Sequence, residues 1–167
     1  MNCKAILFLL LTVLAHGPGW LQATPADSKE ALCEKEAMAL AGEGNFNEGL
    51  AAIRQCIEKA PSRAKSHVVL GYLLIEKGEM QQAMASFERA LELRPRSSAA
   101  KTGKGIILSR AGEYRAAEPI LKEALQLNPD PARTYYELGI IYQQLGDIEQ
   151  ALVNFKAGIT SYEQNSR

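Results

Sequence analysis

Residues 70–95 read LGYLLIEKGEMQQAMASFERALELRP, and this stretch decides the fold. Leu70, Leu74 and Ile75 recur at helical spacing, Gly78 stops the run, and Met84, Phe87, Ala90 and Leu91 mark one face of a second helix. Gly71 and Ala83 are small residues at which the two helices can approach closely, and a larger side chain at either would wedge them apart. Pro95 ends the second helix, because proline cannot continue the ladder of backbone hydrogen bonds. The stretch is a helical hairpin.

The same pattern recurs along the chain every 34 residues. Gly71, Gly105 and Gly139 form one column, Gly44, Gly78, Gly112 and Gly146 a second, and Pro61, Pro95 and Pro129 a third. Leu40, Leu74, Leu108 and Tyr142 follow in step, as do Gly49, Ala83, Ala117 and Ala151, then Ile53, Phe87, Leu121 and Phe155. A 34-residue period with small, aromatic, small and proline positions in this order resembles the tetratricopeptide repeat. The resemblance covers essentially all of residues 30–165 and implies an all-α solenoid of antiparallel helix pairs in a right-handed superhelix. Four units are expected, at 30–63, 64–97, 98–131 and 132–165. The helices are expected near 28–42, 46–59, 63–77, 80–93, 97–111, 114–127, 131–145 and 148–162, with no strands. Unit one carries Glu36 where units two and four have Leu70 and Leu138, and Gly49 where the other units have alanine, so its own packing should be the weakest of the four and something else should hold it. In unit three Pro119 lies inside the second helix and should bend it.

Composition closes off several function classes. The 167 residues hold 19 Lys+Arg and 19 Asp+Glu, a net charge of zero, which offers no electrostatic footprint for nucleic acid or an anionic membrane. Two histidines and three cysteines are too few for a dedicated zinc or iron–sulfur site, so no metal and no cofactor is expected. The start, MNCKAILFLLLTVLAHGPGWLQATPADS, has Lys4, an apolar run from Ala5 to Ala15, then Gly17, Pro18 and Gly19, which is the layout of a secretory signal peptide. The run is too short for a membrane span. Residues 1–23 are expected to be removed after Ala23, with Ala26 the second choice, leaving 24–29 as a linker and no membrane insertion of the mature chain. The chain is thus read as exported, periplasmic if bacterial and otherwise secreted.

Cys33 and Cys56 remain after processing, one on each helix of unit one near ends that meet when the hairpin closes. In an oxidising compartment such a pair favours a disulfide; the other reading is two small buried residues. A bond would be structural, since a redox role wants a CxxC spacing or an exposed thiolate. His67 stands where other units have Cys33, Lys101 and Tyr135, a packing position, and no nucleophile motif, phosphate loop or haem motif surrounds it. The chain is read as no enzyme.

What converges is a surface. In stacked hairpins the first helix of each unit lines the concave side, and the residues one face away from the core set are Glu34 and Met38; Lys65, Val68, Tyr72 and Ile75; Thr102, Ile106 and Ser109; and Arg133, Tyr136, Ile140 and Gln143. Tyr72 and Tyr136 offer flat apolar area with a hydroxyl, and Lys65 and Arg133 offer cations. Some of these could instead fill the space between helices. Family members that grip acidic C-terminal peptides use lysines, asparagines and an arginine here, whereas this chain has Val68, Tyr72, Thr102 and Ile106, so chaperone-tail docking is disfavoured. The reading is a protein–protein scaffold or adaptor that takes a peptide or partner helix in the groove. The alternative is an assembly subunit acting through self-association or its C-terminal end. There Leu152 and Ile159 match Met84 and Leu91 but have no following helix to cover them, which suggests a homodimer interface, a docking face or a small tolerated patch.

Overall fold

The computed structural model describes residues 25–128 and 131–165; the proposed signal segment and Pro129 lie outside the described residues. The chain divides into two compact units, Met1–Leu32 and Cys33–Arg167. Of the first, only residues 25–32 are described, as the opening turns of a helix; the second holds the rest of the fold.

The described residues form eight helices and no strands. They are α1 (Pro25–Gly42), α2 (Phe46–Lys59), α3 (Ala64–Glu76), α4 (Met80–Leu93), α5 (Ser98–Arg110), α6 (Tyr114–Leu127), α7 (Ala132–Gln144) and α8 (Ile148–Asn165). Consecutive helices pair as hairpins, and hairpins stack into a helical solenoid in which α3 also touches α5 and α5 touches α7.

The turn inside each hairpin is the same structure four times. Gly44, Gly78, Gly112 and Gly146 have φ of 87°, 79°, 79° and 82°, the left-handed region that an L side chain enters only at a cost. After Gly78, the Glu79 N–H donates to the Leu74 carbonyl at 2.9 Å and the Gly78 N–H to Ile75 at 3.0 Å. Glu113 to Leu108 with Gly112 to Ser109, and Asp147 to Tyr142 with Gly146 to Gln143, repeat the pair. These bonds satisfy carbonyls the helix end would leave open and reverse the chain in two residues. Between hairpins the backbone extends instead: Arg94, just ahead of Pro95, has φ −143° and ψ 90°, the conformation a following proline imposes.

Small residues at the crossings let aromatic and aliphatic side chains reach across. A Cβ on Gly71 would lie 2.7 Å from the Phe87 ring, one on Gly103 would overlap the same ring, and Gly105 stands in the same relation to Leu121. Phe87 is thus held between α3 and α5 and is fully buried. Burying such a ring contributes roughly 2–3 kcal/mol, which a side chain at either glycine would forfeit by displacing it. Helix α6 continues through Pro119, at its sixth residue.

The first hairpin is held by a close backbone crossing and by a disulfide. Gly49 is a close contact: a Cβ there would lie 2.8 Å from the Ala37 carbonyl oxygen, so the α1 and α2 backbones approach more nearly than an alanine allows. Cys33 and Cys56 are bonded, with Cα atoms 6.1 Å apart. Glu36 is exposed and takes no part in the core.

Candidate partner-binding surfaces

The first helices of successive hairpins pack side by side, and that contact claims part of the set read from the sequence as groove. Val68, Ile75, Thr102, Ile106 and Ser109 are buried, Ile75 and Ile106 almost completely. These are core residues, which corrects their assignment to the groove. The reason is geometric: α3 meets α5 and α5 meets α7, so positions one helical face from the hairpin core meet a neighbouring helix before they meet solvent. The Thr102 and Thr134 hydroxyls, 3.0 Å apart, join α5 to α7 within this layer.

Glu34 is likewise buried, at 1% exposure, and is no groove residue. Its Oε1 accepts from Arg63 Nε at 2.8 Å and from Ser66 Oγ at 2.9 Å, while Oε2 has Lys65 Nζ at 3.3 Å without hydrogen-bond alignment. A carboxylate from α1 is thereby fixed to the start of α3. Such a pair is a weak source of net stability, yet removing one partner strands a charge in the core.

Seven residues of that set keep solvent access. Met38, Lys65, Arg133, Tyr136 and Gln143 are exposed, and Tyr72 and Ile140 are half-buried. One contact organises the face they share: the Arg133 guanidinium of α7 lies 4.5 Å from the ring centroid of Tyr72 on α3. Tyr72 turns its ring edge-on to Phe87, centroids 5.1 Å apart, and donates its hydroxyl to the Ala99 carbonyl at 2.8 Å. Burial pushes the Tyr72 phenol up to about 12, against the pull of Arg133, so it remains a donor throughout the physiological range. Arg110 Nη1 donates to the Ile75 carbonyl at 3.3 Å, which ties α5 to α3. Glu137, half-buried beside Arg133 and Arg110, is held above the ordinary carboxylate range by burial, which outweighs both arginines. Sequence reading missed Arg110 and Glu137. Glu137 falls in a column shared with Lys35, Val69 and Gly103, which keeps no one residue type, so the repeat period gave no signal for it.

The C-terminal hairpin presents a second surface. Leu152 and Ile159 are 65% and 61% exposed, and an open cleft of about 610 Å³ runs beside Ile159 between α7 and α8, lined by Arg133, Tyr136, Phe155 and Gly158 among others. Arg133 and Tyr136 therefore belong to the groove and to this cleft at once.

His67 Nε2 lies 2.9 Å from the Pro61 carbonyl oxygen. Among the described residues no group of three or more His, Cys, Asp or Glu could hold a metal, and no helix is long and apolar enough to cross a membrane.

A solenoid of glycine-turned hairpins with small residues at the crossings defines a tetratricopeptide-repeat protein. More narrowly, residues 22–167 match the family described as the cytochrome c-type biogenesis protein H TPR domain, and the chain belongs to that family. Solved structures carry the same fold. PilF of Pseudomonas aeruginosa is 23% identical with a TM-score of 0.72, the match covering 81% of this chain and 62% of that one. TTC0263 of Thermus thermophilus, a thermophilic TPR protein, is 18% identical with a TM-score of 0.71 over 80% of this chain and 75% of that one. MamA from Desulfovibrio magneticus RS-1 is 24% identical with a TM-score of 0.63 over 80% and 75%. None of the curated proteins matches the sequence.

Proposed function

We propose that this protein is a non-enzymatic scaffold, acting outside the cytoplasm, that holds a polypeptide partner against the inner faces of α3 and α7. The observation that carries this reading is the Arg133–Tyr72 stack beside exposed Tyr136: a cation and two aromatic surfaces on separate helices, already fixed in place before a partner arrives. Preorganised aromatic and arginine side chains are the residue types that dominate binding energies at protein interfaces. With the deeper groove positions taken up by the core, the partner is a segment of mixed character that meets a shallow face, and a long apolar insert is disfavoured. A carboxylate on that segment fits the Arg133 guanidinium, which is exposed above the Tyr72 ring.

The disulfide between α1 and α2 supports an oxidising compartment. The family's description, cytochrome c-type biogenesis, supports a role in an assembly process that handles other polypeptides. The test is capture from an envelope extract with the mature chain as bait, beside Tyr136→Ala and Lys65→Glu variants of unchanged helicity. Partner recovery should fall about fivefold or more with Tyr136→Ala, as truncating an anchoring aromatic costs over ~1 kcal/mol. Undiminished recovery with both variants would move the contact off the inner face. A second reading, an assembly subunit acting through its C-terminal end, is favoured by the exposure of Leu152 and Ile159.

A further inference from the structure

Helix α8 carries Ile148, Leu152, Phe155, Ile159 and Tyr162, spaced alternately four and three residues apart, which is the seam spacing of a helix that packs along another helix. On α4 the matching positions Met80, Met84, Phe87 and Leu91 are half-buried or buried. On α8, Ile148, Leu152 and Ile159 are 56%, 65% and 61% exposed. The two seams are the same surface, one covered and one open.

The covered seam shows what an occupant must look like. Phe87 is met both by Gly71 of its own hairpin and by Gly103 of α5, the first helix of the next. Phe155 has the first of these contacts, against Gly139 of α7, where a Cβ would overlap its ring edge. No described helix supplies the second; the half-buried Phe155 ring otherwise meets Tyr136 of α7, centroids 5.7 Å apart, and lines the cleft. The sequence shows how the missing partner residue is chosen. Sixteen residues after the central side chain of each second helix comes the residue in the place of Gly103: Val69 after Ile53, Gly103 after Phe87 and Glu137 after Leu121. Aliphatic centres stand with longer side chains there, and the aromatic one stands with glycine, because the ring already fills the space.

We infer that the open face of α8 is a docking site for one amphipathic α-helix of a partner protein, which presents a glycine or alanine to Phe155 and large apolar residues to Leu152 and Ile159. The site continues the interface that α5 makes with α4. A second copy of this chain placed face to face does not meet the requirement, since its exposed α8 residues in the seam are all large. The cleft beside this face shares Arg133 and Tyr136 with the groove, but docking on Leu152 and Ile159 needs neither Tyr72 nor Lys65, so the two readings fail separately.

The test is selection of helical peptides from a displayed library, with leucine fixed at the flanking seam positions and the central one randomised, using the intact chain as target. Glycine and alanine should be enriched at the centre, and binding of an enriched peptide should weaken about tenfold or more when its glycine becomes leucine. Leu152→Glu and Ile159→Glu should abolish binding, while Glu36→Lys, an exposed site in the first hairpin, should not affect it. Phe155→Ile should shift the preferred central residue towards valine, in the pattern of Ile53 and Val69; if that variant fails to melt cooperatively, the glycine-to-leucine peptide decides alone. The idea is overturned by enrichment of large central residues, by binding that survives both glutamates, by no enriched helix at all, or by sedimentation showing a dimer that Leu152→Glu dissociates.

Discussion

In the first hairpin α1 is fastened: a disulfide joins it to α2, Gly49 lets the two backbones close up, and Glu34 is bound by Arg63 and Ser66. The last hairpin carries the opposite arrangement, with a helix pair packed well through Gly139 and Phe155 and an apolar face left in solvent. Both lie at ends of an array in which each unit depends on its neighbours for burial. The difference teaches where each end spends its unusual residues: at one end on holding itself, at the other on a surface that nothing in the fold requires.

The comparison makes substitutions at the two ends behave differently. The largest effect should come from Cys33→Ala with Cys56→Ala, which removes a loop constraint worth about 3 kcal/mol on the chain-entropy model. Amide hydrogen exchange should then accelerate in α1 and α2 and much less in α5 to α8. Uniform acceleration would show that the first hairpin holds the whole array together and would break the comparison. Next, Gly49→Ala should destabilise by about 1–3 kcal/mol, since the new methyl meets the backbone oxygen of Ala37, a group that cannot swing aside. The reverse change at the matching site, Ala151→Gly, should cost about 1 kcal/mol through helix propensity, and thermal melts of the two variants sharpen the contrast.

At the other end Leu152→Glu should leave stability within about 0.5 kcal/mol in urea melts, because the side chain is already in water. A loss of several kcal/mol would mean that the exposed strip supports the fold after all. The smallest effect concerns pH. Burial raises the Glu137 pKa, so relative to an unfolded carboxyl near 4.3 its contribution is full at low pH and is lost as pH rises through the raised value. Glu137→Gln should therefore flatten a slight fall in stability as pH rises above about 4. An unchanged slope in paired melts would remove the assignment.

The fold was legible because four glycine turns and the crossing residues obey one period, and each has a local reason that no tertiary detail overrides. The groove was legible only in part. Helical periodicity identifies the face that carries Lys65, Val68, Tyr72 and Ile75, but it cannot say how far that face is claimed by the next hairpin's first helix. Val68 and Ile75 went to that contact, while Tyr72 kept a half-exposed ring under Arg133. Glu34 was misread for the same reason, as its partners Arg63 and Ser66 lie about thirty residues away and become neighbours only when α1 packs near α3. Gly49 was read as a defect because a missing methyl resembles lost packing until the distance between the backbones is known.

The four left-handed glycines have a consequence for how such a chain can change its length. No atom beyond the two flanking residues lies within 4 Å of where a Cβ would sit on Gly44, Gly78, Gly112 or Gly146, so what each turn demands is a backbone handedness and not a particular neighbour. They recur every 34 residues, and a deletion or duplication of that length leaves every remaining turn in frame, while one a few residues shorter or longer within a helix rotates the rest of the array out of it. The molecule is therefore inheritable in whole hairpins. A grafted unit need match its neighbour at few places, chiefly whether the side chain arriving beside a phenylalanine such as Phe87 is small enough to lie against it.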